Sequence, residues 1–140
     1  MFNYKRLAAA FSYPDDNFFK IFPELICEKE KLSLEYDRLF RANEIWLYGS
    51  EYKAENEFQR VQDLADINGF YKAFGLNPGK DRPDALNCEL EFMYYLIFKK
   101  LRALNEAVIE NRNRKLEVCM DAQKKFFEEH LYSAAKNIAE

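Results

Sequence analysis

Turn-forming residues are scarce in this sequence. Its 140 residues include four glycines and four prolines, against thirteen phenylalanines and nine tyrosines. Because Gly and Pro form many of the tight turns in proteins, their scarcity, together with many bulky aromatic anchors, favours helices. No segment alternates between apolar and polar residues for long enough to predict a strand. The length suits one domain, so we predict an all-α helical bundle that forms a single domain over residues 1–140.

Long basic and long apolar stretches are also absent. The formal charge is −3, and Lys and Arg are interspersed with Asp and Glu. No continuous basic stripe is therefore present to neutralise a phosphate backbone, and we expect no nucleic-acid partner. No stretch approaches the roughly 20 apolar residues of a membrane span, and residues 1–11 lack the apolar run of a signal peptide. These absences predict no membrane span and a cytoplasmic location.

Residue patterns typical of catalysis or metal binding are missing. The sequence has no Ser/His/Asp set, no phosphate-binding loop and no G-x-G-x-x-G, and its single histidine excludes a His-rich metal site. That histidine, His130, follows Glu128 and Glu129, which predicts a salt-linked or capping role. The cysteines have no C-x-x-C spacing and fall in apolar patterns, so we predict reduced core thiols. We expect a binding protein, not an enzyme, with neither a metal nor a cofactor. The three cysteines are Cys27, Cys88 and Cys119.

Six segments repeat apolar residues every three or four positions, which predicts about six helices. Two segments lack this period and are predicted loops, the aromatic Asn43–Tyr52 and the polar Asn77–Asp84, and Asn105–Arg114 is polar enough for a turn. The predicted helices cover Asn3 to about Phe11, a segment from Asp15 or Asp16 with a kink or restart at Pro23, a segment from near Ser33, about Ala54 to Phe74 with Gly75 as C-cap, Asp84 to about Val108, and a segment around Leu116–Leu131.

The fifth predicted helix is the most strongly periodic, and its broad apolar surface predicts a central position. Asp84 stands where its N-cap is expected, and one carboxylate oxygen could cap while the other faces a ligand. Glu89 and Glu91 follow in its first turns, where acidic side chains favour the helix dipole. Aromatic and apolar residues at helical spacing are predicted to lie in the core, among them Tyr71, Phe74, Phe92 and Met93.

Several short segments occur in an order that resembles the TorD/DmsD/NarJ family of redox-enzyme maturation chaperones. The segments Tyr36–Phe40 and Tyr48–Tyr52 resemble the family's Y-x-x-L-F and the aromatic-E-S-x-Y that follows, although the order within the second differs here. Ala85 replaces a family histidine, and Tyr132–Ala134 stand where a Trp is usual. The other matches are Phe70–Leu76 with F-Y-x-x-F-G-L, Arg82–Asp84 with P-D-H, Glu89–Met93 with E-L-x-F-M, and Phe126–Leu131 with F-L-x-E-H-L.

The resemblance implies a TorD-like fold and a cytoplasmic chaperone for a molybdopterin oxidoreductase. Such a chaperone binds the apo catalytic subunit or its twin-arginine leader, aids cofactor insertion and prevents premature export. A leader offers a basic pair followed by an apolar stretch, so its receptor needs carboxylates beside an aromatic groove. The alternative is a helical adaptor or assembly protein for another partner. The residues predicted to bind the client are Trp46, Tyr48, Glu51, Tyr52, Arg82, Pro83, Asp84 and Glu89.

Two further expectations concern exposed apolar side chains. The aromatic residues of the first loop could either line a peptide groove or pin the loop to the bundle, and Trp46 is the one expected to be partly exposed. Family members generally add helices after this point, so the chain is interpreted as shortened at its C-terminus. Without those helices the fifth and sixth helices would expose apolar surface, which predicts a homodimer or an exchanged-helix dimer. A compact monomer filled by Phe and Tyr is the alternative.

Overall fold

The computed structural model describes residues 2–79 and 81–139, and helices make up most of them. A 3-10 helix, Pro23–Glu28, follows α2, and π-helical turns follow α3 at Asp37–Arg41 and α7 at Phe127–Leu131. Within the described ranges the extended backbone pairs only once, at an isolated antiparallel bridge between Tyr48 and Ala85. The all-α prediction is confirmed. The α-helices are α1 (Phe2–Ala10), α2 (Asp16–Ile21), α3 (Lys29–Tyr36), α4 (Ser50–Lys53), α5 (Glu57–Ala73), α6 (Leu86–Leu104), α7 (Ile109–Phe126) and α8 (Tyr132–Ala139).

Three predicted helix ends are confirmed by their local chemistry. The Asp15 side chain caps α2 by accepting hydrogen bonds from the backbone amides of Asn17 and Phe18. Pro23 restarts the chain as the first residue of the 3-10 helix, where its missing amide hydrogen leaves no helical bond unmade. Gly75 follows α5 with a φ of +74°, a conformation that glycine adopts without a Cβ clash.

Other predicted boundaries are wrong. The third helix begins at Lys29, four residues before Ser33, and the aromatic loop contains the start of α4. The fourth predicted helix starts later than expected because the Asn56 side chain caps it by accepting from the Gln59 amide. The predicted turn over residues 105–114 shrinks to residues 105–108. Solvent-facing polar side chains are compatible with a helix, so α7 begins at residue 109 within the polar stretch.

Helix α6 lies at the centre of the core, as its pattern predicts. It packs against α7 as an antiparallel hairpin and against α1 on another side. Aromatic rings fill the contact with α5 and α7, since Phe92 lies 4.9 Å from Tyr71 and 4.7 Å from Phe126 between ring centroids, with near-perpendicular planes. Tyr71, Phe92 and Met93 are buried as predicted, and Phe74 is partly buried against the same cluster.

The periphery departs more from the predictions. Of the apolar residues predicted to share one side of the third helix, Leu32, Tyr36 and Phe40 are half-buried and Leu39 is exposed, so none of them lies in the core. Of the cysteines, Cys119 is buried, Cys88 is half-buried and Cys27 is exposed, so the prediction of core thiols is wrong for Cys27.

No helix in the described residues combines the length and apolar character that crossing a bilayer requires. The single domain and the homodimer stay predictions.

Phe126 is the aromatic side chain on which the core packing depends most, because it is 0% exposed and touches rings from α5 and α6. We expect Phe126→Ala to lower the free energy of unfolding by about 3–5 kcal/mol, through lost burial and the cavity left behind. Urea denaturation followed by far-UV circular dichroism measures this. Phe58→Ala is the control, since Phe58 is 70% exposed on α5 and its loss should change stability by less than about 0.5 kcal/mol. Equal losses of unfolding free energy in both variants would contradict the central packing role of Phe126.

Candidate partner-binding site

The two predicted loops meet in the structure and form a loop junction, defined here as residues 47–51 and 82–86. The backbone amide of Gly49 donates to the carbonyl of Asp84 at 2.9 Å, and the amide of Leu86 donates to the carbonyl of Leu47 at 2.9 Å. These bonds flank the isolated bridge and hold the aromatic loop against the start of α6. Sequence positions more than thirty residues apart are thereby fixed as one surface.

A buried carboxylate lies at the centre of the loop junction. Asp84 is 0% exposed. Arg82 binds it in a two-pronged manner, with Nε donating to Oδ1 at 3.0 Å and Nη2 donating to Oδ2 at 2.8 Å. The Ser50 hydroxyl and backbone amide also donate to Oδ2, at 2.6 and 3.1 Å. Every contact places a positive or partly positive group against the carboxylate, which is what burial of this charge requires.

Arg82 connects this carboxylate to a second one on α4. Its Nη1 donates to Glu51 Oε1 at 2.7 Å, and Arg60 of α5 reaches the other oxygen of Glu51 at 3.3 Å. The guanidinium also lies over the Tyr48 ring, 4.2 Å from the centroid. Burial disfavours the charge on Arg82, but the hydrogen bonds and charges of Asp84 and Glu51 outweigh it and raise the pKa of Arg82. The guanidinium therefore stays charged and joins both loops and α5.

The predicted N-cap role of Asp84 is wrong. Helix α6 begins at Leu86 after an uncapped Ala85, and the Asp84 side chain makes no bond to the first turn of that helix. Its oxygens are used by Arg82 and Ser50, so neither faces an external ligand in this structure. The sequence shows a carboxylate before a helix, the usual cap pattern, but the partner that outcompetes the cap comes from a distant loop.

Two aromatic residues of the first loop lie at the surface beside the loop junction. Glu44, which follows the π-helical turn by three residues, has a φ of +55°. The Trp46 backbone amide then donates to the Tyr52 hydroxyl at 3.1 Å, which fixes the two residues relative to each other. Trp46 is 54% exposed, as predicted, and Tyr52 is also exposed. These rings are available to a partner, whereas the half-buried Tyr48 lies under Arg82.

Gly49 is required at the loop junction because α8 approaches it closely. A Cβ at this position would lie 2.9 Å from the Ala134 Cβ of α8 and 3.6 Å from Glu89 Oε1. The backbone φ is ordinary, so the constraint is space and not conformation. The last described helix is thereby packed directly under the aromatic loop.

Glu89 lies beneath the loop junction and is 1% exposed. Its Oε2 has no hydrogen-bond partner among the described residues, and the adjoining cavity, about 10 Å³, is too small for a peptide side chain. Burial, followed by the nearby Asp84 carboxylate, raises the pKa of Glu89 to about 8, although Lys53 acts in the opposite direction. Glu89 is therefore largely neutral at pH 7, and its carboxyl reaches no surface in this structure.

Pro83 and His130 each make a hydrogen bond that connects the edge of the site to α5. The Tyr71 hydroxyl donates to the Pro83 carbonyl at 2.7 Å and so ties the second loop to α5. His130 is buried, and its Nε2 forms a hydrogen bond with Asp66 of α5 at 2.7 Å and not with the predicted Glu128 or Glu129. Asp66, Glu129 and His130 bring three potential metal-ligand atoms within 4.8 Å. Two of these are exposed carboxylates, a common arrangement without an ion, and we assign no metal site there.

A cleft of about 870 Å³ opens beside Trp46 and is named here the aromatic cleft. Its aromatic lining includes Phe18, Tyr36 and Phe40, and its acidic lining comprises Asp15, Asp81 and Glu91. Four cations among the described residues also line it, Lys5, Lys20, Arg41 and Arg82, of which Arg41 and Arg82 are paired with carboxylates. Burial, followed by the Asp81 carboxylate, raises the pKa of Glu91, although Lys5 acts in the opposite direction. None of these three acids is among the client-binding residues predicted from the sequence. No local signal could have identified them, since they come from separate segments that only the fold brings together.

The structure thus separates the eight predicted binding residues into three groups. Four form one network in the loop junction, and two aromatic residues lie exposed beside it. Pro83 contributes its carbonyl, and Glu89 lies underneath. The network members are Tyr48, Glu51, Arg82 and Asp84, and the exposed pair is Trp46 and Tyr52.

Removal of the charge on Asp84 should loosen the loop junction. We expect Asp84→Asn to reduce the free energy of unfolding by about 2–3 kcal/mol, because Arg82 loses a buried anionic partner that an amide cannot replace. Hydrogen exchange should accelerate at the amides of Gly49 and Leu86. The control is Asp121→Asn, which removes an exposed partner of Lys125 on α7 and should cost less than about 0.5 kcal/mol. Unchanged stability and exchange in Asp84→Asn would contradict this account.

The buried Glu89 should make stability depend on pH in an unusual direction. Its pKa is about 8 in the folded protein against an ordinary 4.5, so the folded state binds this proton more tightly. The resulting stabilisation is complete below about pH 4.5 and is lost as pH rises through 8. Glu89→Gln keeps a neutral side chain at every pH and should gain stability relative to the parent at pH 9, on the order of 1–2 kcal/mol.

Urea denaturation of both proteins between pH 5 and 9 measures this difference. Glu30→Gln, at an exposed position on α3, serves as the control and should leave the pH dependence of the parent unchanged. Parallel pH profiles for Glu89→Gln and the parent would show that Glu89 is ionised in the folded state.

Comparisons with known proteins show which family this chain is similar to. Residues 27–136 match the model of the family described as nitrate reductase delta subunit. A stretch of 71 residues is 35% identical to the perchlorate reductase assembly chaperone protein of Dechloromonas aromatica (strain RCB), and it spans 49% of this chain and 29% of that relative's length. No solved structure gives a significant match. The predicted resemblance to the TorD/DmsD/NarJ chaperones is confirmed, because the family match covers well over half of the chain: this protein belongs to the nitrate reductase delta subunit family.

Proposed function

We propose that this chain is a cytoplasmic assembly chaperone for a molybdopterin-containing oxidoreductase. It binds the apo catalytic subunit, or the twin-arginine leader of that subunit, aids cofactor insertion and delays export until insertion is complete. It acts by binding and not by catalysis. Membership of the nitrate reductase delta subunit family supports this proposal, as does the 35% identity to a protein named as a perchlorate reductase assembly chaperone.

The aromatic cleft is the observation that carries the proposal. A leader presents paired arginines followed by apolar residues, so its receptor must place carboxylates next to aromatic surface. The cleft holds Asp81 and Glu91 at its acidic side and Trp46 at its aromatic side. Two converging carboxylates suit a guanidinium, because a bound cation relieves their mutual repulsion. At about 870 Å³ the cleft has room for several side chains of an extended segment.

Within this proposal the predicted binding residues have two different roles. Trp46 and Tyr52 are exposed and contact the client directly. Asp84, Arg82 and Glu51 are engaged with one another and hold the loop that carries those rings. Binding to such a pre-positioned surface costs less entropy than binding to a mobile loop. The network therefore contributes to affinity by positioning and not by touching the client.

The alternative is a helical adaptor that binds another protein through the same surface. The two functions differ in the chemistry that they demand of the ligand. A chaperone that reads a leader depends on the paired arginines, whereas an adaptor has no such requirement. A pair of peptides that differ only in those two residues separates the two possibilities.

Loss of the exposed indole should weaken leader binding. We expect Trp46→Ala to reduce affinity for a synthetic leader, an Arg-Arg pair followed by an apolar stretch, by about tenfold or more, as for other central aromatic anchors. Isothermal titration calorimetry measures this. The control is Phe58→Ala, which removes another exposed aromatic side chain that does not line the cleft, and it should bind as the parent does.

The acidic side of the cleft gives a second arm of the same experiment. The double variant Asp81→Asn, Glu91→Gln should weaken binding of the Arg-Arg peptide, more at low salt than at high salt. A matched peptide with Gln-Gln in place of Arg-Arg should bind weakly to the parent and be insensitive to these substitutions. Equal affinity of the parent for both peptides would overturn leader recognition and favour the adaptor.

A further inference from the structure

The arginines of this protein differ in their ion pairing according to where they lie. Arg102, Arg112 and Arg114 lie at the end of the α6–α7 hairpin, and none of them has a carboxylate within ion-pairing distance among residues 2–79 and 81–139. The neighbouring Lys99 and Lys100 are likewise without an ionic partner within those ranges. Every other arginine of the chain forms an ion pair. Those paired residues are Arg6, Arg38, Arg41, Arg60 and Arg82.

This cluster reverses the charge of the protein locally. Residues 98–118 contain six cationic and three acidic side chains, while the whole chain carries a formal charge of −3. One of the three acids, Glu106, is already paired with Lys115. Unpaired like charges at close range are unfavourable unless an external anion neutralises them. The hairpin end is therefore complementary to an acidic partner.

The cations surround a recess with an apolar floor. A cleft of about 420 Å³, named here the hairpin cleft, lies between α6, α7 and the end of α5. Arg102, Lys99 and Arg114 line its cationic side, and Phe74 and Val118 line its apolar side. The lining also holds the ion pair of Lys115 with Glu106, the one acid among the described residues that line the cleft, so its net charge stays positive. Arg102 and Lys99 are each supported by a ring on their own helix, with a distance of 5.9 Å to the centroid of Phe98 and of Tyr95 respectively.

We propose that the hairpin cleft binds an acidic segment of a partner protein that carries an apolar side chain between its carboxylates. The carboxylates pair with Arg102 and Arg114, whose guanidinium groups match carboxylate geometry, and the apolar side chain enters the recess against Phe74 and Val118. A concave recess suits a peptide side chain, whereas a flat anionic bilayer would leave the recess unfilled. The aromatic cleft shares no lining residue with the hairpin cleft, so the two are separate surfaces that can be tested separately.

A fluorescein-labelled synthetic peptide of about twelve residues, with Glu pairs separated by Leu, tests the proposal by fluorescence anisotropy. We expect the parent protein to bind it at low salt and to lose affinity as salt screens the charges. The double variant Arg102→Glu, Arg114→Glu should reduce affinity by about tenfold or more, because two attractive contacts become repulsive. A peptide with Ser in place of Leu should bind more weakly than the Leu peptide.

The matched control is Arg6→Glu, Arg38→Glu, which makes the same change in net charge at exposed positions outside the cleft. It should bind the acidic peptide within about twofold of the parent, since long-range charge alone contributes little at moderate salt. Equal losses in both double variants would overturn the proposal in favour of general electrostatic attraction. Binding to phosphatidylglycerol vesicles that the Arg102/Arg114 variant loses, with no binding of the peptide, would overturn it in favour of a membrane surface.

Two further measurements keep the result interpretable. Circular dichroism establishes that the charge-reversed variant is folded, and Arg102→Gln, Arg114→Gln replaces it if it is not, with a smaller expected loss of peptide affinity. The Arg-Arg leader peptide should bind the Arg102/Arg114 variant as it binds the parent. Loss of acidic-peptide binding in the Arg102/Arg114 variant supports the hairpin cleft whether or not the parent binds the leader, and acidic-peptide binding that this variant retains rejects the hairpin cleft alone.

Discussion

The carboxylate of Asp84 lies where water cannot reach it, and the organisation of the site follows from how that charge is compensated. An isolated buried carboxylate is too costly to keep, so a cation and several hydrogen-bond donors must converge on it. Arg82 and Ser50 supply them, and they come from both loops. The Arg82 guanidinium also binds Glu51 and covers the Tyr48 ring. The cation that compensates the charge of Asp84 therefore also connects the loop junction to α4.

The exposed surface is a consequence of this buried network. Once the first loop is held by its inner face, its outer face presents Trp46 and Tyr52 to solvent. Below the junction, the space is so limited that only glycine fits at position 49 against Ala134. Glu89 is enclosed there, and one of its oxygens has no hydrogen-bond partner in the described part of the chain. Burial in this enclosed space is the main cause of the raised pKa of Glu89. Rigid interior contacts and an accessible aromatic edge are the combination expected of a binding surface that is formed before its ligand arrives.

Charge is distributed unequally over the two clefts. Among the described residues, the aromatic cleft is lined by the carboxylates of Asp15, Asp81 and Glu91 and by four cations, Lys5, Lys20, Arg41 and Arg82, whereas the hairpin cleft carries four cations and one acid, Glu106, around Phe74 and Val118. The hairpin cleft therefore favours an acidic and apolar ligand, and the aromatic cleft favours a basic group at its Asp81 and Glu91 side. Under the proposed function two separate contacts increase specificity, because a partner has to satisfy both charge patterns at once.

The sequence by itself determined the helical class, the central position of α6 and the aromatic core, since these depend on periodicity that each segment carries alone. It also determined the capping of α2 by Asp15 and the ending of α5 at Gly75, which are local interactions. It located the loop residues of the site through a family resemblance but gave Asp84 the wrong partner. Only the tertiary structure decided that Asp84 binds Ser50 and Arg82, that Glu89 is buried, and that acids from three segments meet in one cleft. The physical reason is that a local pattern records which face of a helix is apolar, whereas the partner of a buried charge is set by the three-dimensional meeting of distant segments.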